Sequence, residues 1–169
     1  MELVLGAGHR SGLRKMVTVD GDYEYKNAIT VDINAETKPD LVHDLNELPL
    51  PFGDEEFDEI HAYEVLEHLG TQGDYKKFFQ EFGEYWRVLK PGGYLIGSCP
   101  KWDSIWAFGD PSHTRVLSAA AFTFLDQDQY VAQEGKTPMT DFRYLWKYSF
   151  KLVFSEIQGE QWFFILEKK

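Results

Sequence analysis

Residues 57–69 read FDEIHAYEVLEHL, and residues 89–95 read LKPGGYL. Phe57–Tyr63 has the composition of a strand, and VLEHL predicts the start of a helix directly after it. The segment therefore predicts a strand that runs into a helix on the way to a second strand.

The stretch between the two motifs has helical periodicity. Apolar and aromatic residues recur at three- and four-residue steps over Asp74–Leu89, and Pro91-Gly92-Gly93 stops the helix. A strand over Tyr94–Cys99 follows. Strands that alternate with helical connections predict an α/β sheet.

Three short apolar runs upstream predict further strands, at Leu3–Leu5, Ile29–Ile33 and Asp40–Val42. Residues 9–27 lack helical spacing and contain Gly12 and Gly21, so they predict a loop with an extended piece at Met16–Val19. The prolines of Asn46–Asp54 predict a second loop.

The last third is rich in aromatic residues. Residues 100–117 predict irregular structure, Ser118 is a candidate N-cap for a helix over Ala119–Leu125, and residues 126–143 predict a polar loop or partial lid. A hairpin closes the chain, with strands at Tyr144–Ile157 and Gln161–Glu167. We expect one domain over residues 1–169, with a mostly parallel sheet, a C-terminal antiparallel hairpin, and residues 100–143 on the substrate side.

Composition narrows the class of protein. Of 169 residues, 43% are hydrophobic, 27% are charged, and the net charge is −11. Proteins that bind nucleic acid usually carry a basic face, and the sequence shows no basic cluster, so nucleic acid is not expected as a partner. A strand at the N-terminus, a single cysteine (Cys99) and the lack of a long apolar run predict a cytoplasmic protein with no membrane association.

Ligands of open parallel sheets bind at the carboxyl ends of the strands. The candidates there are Gly6, Ala7, Gly8, Asp32, Ile33, Asp44, Leu45, Tyr63 and Glu64. Taken singly, the glycines also suit a tight turn, and Asp32 and Asp44 also suit helix or turn caps. Their common position after successive strands favours a ligand site.

Over residues 2–125 the chain resembles the class I S-adenosylmethionine-dependent methyltransferases. The resemblance rests on LVLGAG (3–8), VDINAETKPDLVHDLNELPLPFGDEEFDEIHAYEVLEHL (31–69) and VLKPGGYL (88–95). It is closest to a small subgroup with a short first crossover, and some phage-encoded members look similar to the end of the chain. It implies a Rossmann-like sheet, S-adenosylmethionine as cofactor, and methyl transfer to an oxygen or nitrogen nucleophile of a small molecule or saccharide.

The resemblance also implies roles for the strand-end residues. Asp32 would bind the ribose diol and Ile33 an adenine face, while Asp44 and Leu45 would meet the adenine from its other edge. Tyr63 and Glu64 would lie nearest the methionine tail. Two positions depart from the family pattern, because Val4 replaces an acidic residue and Arg10 replaces the third glycine. Arg10 or His9 is therefore a candidate for the methionine carboxylate.

Methyl transfer is an in-line displacement that needs a base only when the acceptor carries a proton on its nucleophile. His113 and His68 are the candidate bases. His113, with Asp110 as its orienting partner, lies within a segment that resembles a D-P-x-H-x-R motif of the family. A loop histidine that bonds the backbone is an equally good interpretation of His113. His68 is expected to pack beneath the site, and Trp102, Trp106 and Phe108 are candidates for the pocket wall or the core.

Rival functions fit the residues less well. GAGHRSG at residues 6–12 also matches a dinucleotide pattern, but no helix follows it to aim at a pyrophosphate. DNA methyltransferase motifs are missing after the fourth strand, where Tyr63-Glu64-Val65-Leu66 stands. A non-catalytic binding module of the same fold is the remaining alternative. The histidines and the cysteine show no metal-ligand spacing, so no metal is predicted, and a homo-oligomer stays open.

Overall fold

The computed structural model describes residues 1–9, 11 and 13–169. Within those residues seven strands form one sheet in the order β3-β2-β1-β4-β5-β7-β6. The strands are β1 (Glu2–Leu5), β2 (Ala28–Asp32), β3 (Leu41–Val42), β4 (Phe57–Tyr63), β5 (Leu89–Pro100), β6 (Phe150–Gln158) and β7 (Gln161–Lys168).

Strands β1 to β5 pair in parallel, and β7 runs antiparallel to both β5 and β6. The strand order reverses between β1 and β4, which is where an open sheet of this type places its ligand. The predicted fold class, a mostly parallel α/β sheet with a C-terminal antiparallel hairpin, is confirmed. The hairpin differs at its start, because residues 144–149 precede the strand and do not belong to it.

The helices of the described chain are α1 (Tyr75–Val88), α2 (Ile105–Gly109), α3 (Ala119–Phe122) and α4 (Gln127–Gln133). Helix α1 is the predicted one, and the side chain of Asp74 caps it by accepting from the amide of Lys77. Helix α3 is shorter than expected and continues as a 3-10 turn, and the hydroxyl of Ser118 at its N-cap makes no capping bond.

Helices α2 and α4 were not predicted, which corrects the irregular and polar-loop assignments of residues 100–117 and 126–143. Both are short, and each buries one residue, Ala107 in α2 and Tyr130 in α4. A helix with one buried position shows no apolar period in the sequence. The caps Ser104 and Asp126 were the available indication.

The predicted helix at VLEHL is wrong, because the structure has a single 3-10 turn, Leu66–His68. Carbonyl groups that would continue a helix accept hydrogen bonds from another segment. The Leu66 carbonyl accepts from Nε of Arg115 at 2.8 Å, and the Glu67 carbonyl accepts from the amide of Thr114 at 2.9 Å. A distant segment has thus replaced the local helical bonds.

The first crossover is a loop in its described part, as predicted, although Met16–Val19 is not a strand. Buried charges fix this loop where related sheets would pack a helix. The ammonium of Lys15, 3% exposed, lies 2.8 Å from Glu2 and 2.7 Å from Glu59. The hydroxyl of Tyr63 also donates to the Val17 carbonyl.

The apolar core lies between the sheet and α1. Phe79, Phe82 and Tyr85 of α1 are buried against Leu95 of β5, and the aromatic core extends to Trp146. None of the described helices is long and apolar enough to cross a membrane.

Candidate functional site

A cavity opens at the carboxyl edge of the parallel strands, where the strand order reverses. Its lining is Gly6, Asp32, Ile33, His43, Asp44, Leu45, Asn46, Glu64, Val65, His68 and Leu69. Six of the residues predicted to bind the cofactor are among them, and these six follow four different strands. The parallel sheet has brought together residues from Gly6 to Glu64, which are far apart in the sequence.

The glycines after β1 have backbone conformations that disfavour side chains. Gly6 has φ +60° and Gly8 has φ +56°. A Cβ on Gly6 would lie 2.3 Å from Cγ2 of Val65, whereas a Cβ on Gly8 would meet no described atom within 4 Å. Gly6 is therefore required for packing as well as for its turn, and Gly8 leaves open space above the strand end.

Asp32 ends β2 and holds the loop after β1. One carboxylate oxygen accepts from the amide of Gly8 and the other from the amide of Asn34, each at 2.8 Å. A carboxylate has about four lone-pair sites, so these bonds orient Asp32 and leave acceptor capacity for a ligand.

The other wall of the cavity combines an apolar and an acidic part. Ile33 is 67% exposed, which is unusual for an aliphatic side chain that lines a cavity, and Leu45 is buried opposite the strand ends. Oδ1 of Asp44 accepts from the amide and the side chain of Asn46. Asn46 in turn accepts from the amide of Gly70, which ties this wall to the turn after β4.

Glu64 and Tyr63, adjacent at the end of β4, turn in different directions. Glu64 lines the cavity with φ +54°, a left-handed conformation that is costly for a non-glycine residue, and it accepts from the hydroxyl of Ser98 at 2.8 Å. Strain of this kind concentrates at functional sites. Tyr63 does not line the cavity; burial raises its pKa to about 12, and its hydroxyl bonds the loop at Val17.

The remaining predicted residues lie at the margin. The Ala7 amide donates to the Val31 carbonyl and Gly8 donates to Asp32, so both shape the turn from outside the lining. His9 and Arg10 were the candidates for the methionine carboxylate. His9 is not among the residues that line the cavity, and Arg10 lies outside the described residues.

The described lining fits S-adenosylmethionine chemically. Two carboxylates, Asp32 and Asp44, can accept from hydroxyl and amino groups, and Ile33 and Leu45 offer apolar surface to a ring. Gly6 contributes backbone to the lining, and the absence of a side chain there lets Val65 pack against it.

A second group of polar residues lies beside this cavity, on the segment after α2. Nδ1 of His113 lies 2.8 Å from the Trp106 carbonyl, and Nε2 lies 3.9 Å from Asp110. The carbonyl of Trp106, rather than Asp110, therefore orients the ring. Asp110 instead accepts from the hydroxyl and amide of Ser112, and these bonds hold the pKa of Asp110 below its usual value.

Arg115 is a positioning residue that sequence reasoning missed. It is buried, its Nε donates to the Leu66 carbonyl, and its Nη2 donates to Glu81 at 2.7 Å. Tyr85 donates to the same carboxylate oxygen of Glu81 at 2.9 Å. Arg115 thereby fastens the His113 segment to the turn Leu66–His68. The arginine of the D-P-x-H-x-R segment was the available signal.

Glu67 was also missed, although it lies within VLEHL. It is 2% exposed, and neither carboxylate oxygen has a hydrogen-bond partner among the described residues. Burial raises the pKa of Glu67 to about 7, with the charge of Glu64 adding to the rise. The thiol of Cys99 faces the carboxylate but is a weak donor, and burial raises its own pKa.

The other sequence candidates have the following places. His68 lines the cavity and packs edge-to-face on His113, with ring centroids 4.6 Å apart, so it does not lie beneath the site as expected. Trp102, Trp106 and Phe108 are all more than half exposed, which excludes a core role for them.

Comparison with known proteins identifies the class. A family model described as a methyltransferase domain matches residues 4–97. A protein of Mycolicibacterium smegmatis named as a probable S-adenosylmethionine-dependent methyltransferase is 32% identical over 136 residues, which cover 74% of this chain and 48% of that protein. The chain thus spans about half the length of this curated relative.

Solved structures share the fold. A SAM-dependent methyltransferase from Archaeoglobus fulgidus aligns with TM-score 0.59 and 16% identity, over 99% of this chain and 85% of the other. The 1,6-didemethyltoxoflavin-N1-methyltransferase of Burkholderia thailandensis aligns with TM-score 0.53 and 14% identity, over 99% and 70%. The chain belongs to the methyltransferase domain family, in which S-adenosylmethionine is the cofactor.

Proposed function

We propose that this domain transfers a methyl group from S-adenosylmethionine to an oxygen or nitrogen nucleophile of a small molecule or saccharide. The observation that carries the proposal is the cavity itself. Its lining includes Gly6, Asp32, Ile33, Asp44, Leu45 and Glu64, which the sequence singled out as cofactor residues. We place the chain in the small subgroup with a short first crossover as part of the same proposal.

Within the cavity, each residue type has a distinct task. The chemistry that S-adenosylmethionine supplies when bound is an electrophilic methyl carbon on a sulfonium. Asp32, pre-oriented by the amides of Gly8 and Asn34, accepts hydrogen bonds from a diol, and Asp44 accepts from an amino group. Ile33 and Leu45 pack on the faces of a ring. Glu64 contributes negative charge near the end of β4, which favours a cationic ligand group there.

For an acceptor whose nucleophile carries a proton, we propose that His113 is the base that removes it. The Trp106 carbonyl can only accept a hydrogen bond, so Nδ1 of the neutral ring carries the proton and Nε2 keeps its lone pair. Asp110, 3.9 Å from Nε2, then stabilises the charged ring after proton transfer.

The acceptor has a candidate cavity on the substrate-side segment. A cavity of about 680 Å³ lies at the carboxyl end of β5, lined by Lys101, Trp102, Leu117, Ser118, Ala119, Ala120, Ser155, Glu156, Ile157 and Trp162. Its size lies in the range that holds a small molecule, and tryptophan faces suit sugar rings or heterocycles. A net charge of −11 disfavours a polyanionic acceptor such as nucleic acid.

The test begins with calorimetric titration of the protein with S-adenosylmethionine and S-adenosylhomocysteine. We expect micromolar binding that falls at least tenfold in Asp32→Ala and stays unchanged in Asp128→Ala, whose exposed carboxylate does not line the cavity. A folded wild type that binds neither ligand would overturn the proposal and leave a non-catalytic module of this fold.

Transfer itself is measured with a panel of hydroxylated and amino acceptors, by formation of S-adenosylhomocysteine. His113→Ala is expected to lower kcat while leaving cofactor affinity within about twofold, because His113 does not line the cofactor cavity. Loss of cofactor affinity in His113→Ala would contradict its assigned role.

A further inference from the structure

Glu67, His68 and His113 form a cluster at the rim of the cofactor cavity. One nitrogen from each ring and one carboxylate oxygen all lie within 4.8 Å of one another. The sequence did not indicate this group, because His113 comes from a segment far along the chain and reaches the turn through Arg115. The histidine pair itself is in edge-to-face contact, with ring centroids 4.6 Å apart.

Both rings are oriented by backbone carbonyls. Nδ1 of His113 faces the Trp106 carbonyl at 2.8 Å, and Nδ1 of His68 faces the Ser112 carbonyl at 3.3 Å. Since a carbonyl cannot donate, both neutral rings hold their proton on Nδ1, and both Nε2 atoms keep a lone pair. Histidines that ligate metals are oriented in this way by their other nitrogen.

The carboxylate of Glu67 is the third possible metal ligand of the cluster, and its hydrogen-bonding capacity is unused. Its two oxygens are buried and have no hydrogen-bond partner among the described residues. Leaving a buried carboxylate without a partner is costly, and a ligand that binds it would remove the cost. Asp110, whose Oδ2 lies 3.9 Å from Nε2 of His113, adds negative charge on the same side.

We infer that Glu67, His68 and His113 bind a divalent transition-metal ion, of which zinc is the best match. Two imidazoles and one carboxylate are a known donor set for zinc and for ferrous iron, and imidazole disfavours magnesium. Zinc bonds of about 2.0–2.1 Å place neighbouring ligand atoms roughly 3.3 Å apart, so small rotamer changes would close the cluster on the ion.

The position of the site points to a catalytic function for the ion. His68 lines the cofactor cavity together with Glu64, so an ion on His68 would lie next to the region where transfer is proposed. A hydroxyl bound to such an ion loses its proton more readily and is held in a fixed orientation. With the ion in place, His113 would act as its ligand and no longer as the base, so the proton of an ion-bound acceptor hydroxyl would pass to solvent water before the oxygen attacks the methyl carbon.

The test uses the full chain, stripped of metal with EDTA and dialysed, without S-adenosylmethionine or acceptor. We expect calorimetric titration with zinc chloride to show one equivalent bound at micromolar or tighter affinity, and magnesium chloride to bind at least a hundredfold more weakly. His113→Ala, His68→Ala and Glu67→Gln should each weaken zinc binding at least tenfold.

His43→Ala is the matched control, because His43 lines the same cavity and bonds the Glu47 carbonyl but is not in the cluster. Its zinc affinity should equal that of the wild type. Cobalt chloride added to the wild type gives a second measurement that needs no variant, since the ring protons of the ligands His68 and His113 should take the largest paramagnetic shifts, well beyond those of His43.

Two results would overturn the inference. One is the lack of saturable zinc binding to the folded wild type, and the other is zinc affinity in His113→Ala equal to that of the wild type. Because these titrations contain no cofactor, their failure leaves the proposed methyl transfer intact, and failure of cofactor binding leaves the metal site intact.

Discussion

Glu67 is buried within the turn Leu66–His68 and Glu81 is buried where Arg115 joins it to that turn, yet the protein treats the two carboxylates differently. On the paired side, Oε1 of Glu81 accepts from the guanidinium of Arg115 at 2.7 Å and from the hydroxyl of Tyr85 at 2.9 Å, while its Oε2 has no partner among the described residues. On the open side, Glu67 has no hydrogen-bond partner among the described residues and faces the histidine pair.

The difference separates a structural charge from a functional one. A buried carboxylate is stabilised only by partners that replace water, and on the paired side α1 and Arg115 provide them. On the open side no described residue bonds the Glu67 carboxylate, so its oxygens are available to a ligand and its burial lowers the stability of the fold. The three predictions below, from the largest effect to the smallest, break or sharpen this comparison.

Breaking the paired side should have the largest effect. Arg115→Met leaves Glu81 charged and buried, and removes the bond to the Leu66 carbonyl. We expect the free energy of unfolding, measured by urea titration, to fall by about 3–5 kcal/mol. The double variant Arg115→Met/Glu81→Gln removes the uncompensated charge and should recover at least half of the loss. A single variant that loses less than about 1 kcal/mol would show that the pair is not structural.

Two glycines after β1, Gly6 in the wall of the cavity and Gly8 outside it, form a matched pair that separates the effect of packing from that of open space. Gly6→Ala places a Cβ 2.3 Å from Val65, just before the turn, at φ +60°. Gly8→Ala imposes a similar backbone strain at φ +56° without a described neighbour within 4 Å. We expect Gly8→Ala to cost about 1–2 kcal/mol of stability and Gly6→Ala about 1–3 kcal/mol more, by thermal or urea unfolding. Equal losses would mean that Val65 moves aside freely.

On the open side we expect the opposite effect. Removing the carboxylate of Glu67 should raise the free energy of unfolding, by an amount that depends on pH. Burial raises the pKa of Glu67 to about 7 from an ordinary value of 4.5, so the folded state binds this proton more tightly than the unfolded state. The stability that protonated Glu67 contributes is complete below pH 4.5 and is lost as the pH rises through about 7. Glu67→Met should therefore be more stable than the metal-free wild type at about pH 8, by on the order of 2–3 kcal/mol.

The readout is the difference in unfolding free energy between the wild type and Glu67→Met across that pH range, which isolates this group from others that titrate. Asp54→Asn is a suitable control, because Asp54 is an exposed carboxylate that pairs with Arg87 on the surface. If the two curves run parallel from about pH 5 to about pH 8, Glu67 has a partner that compensates it.

Periodicity and strand-end rules were enough to predict much of this molecule. The three- and four-residue period that marks α1 and the apolar runs of β1, β2 and β3 are local patterns, and local patterns are read directly from sequence. The position of Asp32, Ile33 and Asp44 around one cavity follows from them, because parallel strands end at one edge. Helix α4 was not predicted, because its single buried residue, Tyr130, produces no apolar periodicity in the sequence.

The sequence alone therefore determined the fold class and the family, and six of its nine candidate cofactor residues line one cavity, since strand patterns are local and parallel strands end at one edge of the sheet. Only the tertiary structure decided that VLEHL is a 3-10 turn, that Tyr63 faces the loop at Val17, and that Glu67 meets His68 and His113. These outcomes depend on long-range bonds, above all those of Arg115 to Leu66 and Glu81. A backbone carbonyl satisfied by a distant guanidinium leaves no trace in local sequence, so the cluster beside it is visible only once the chain is folded.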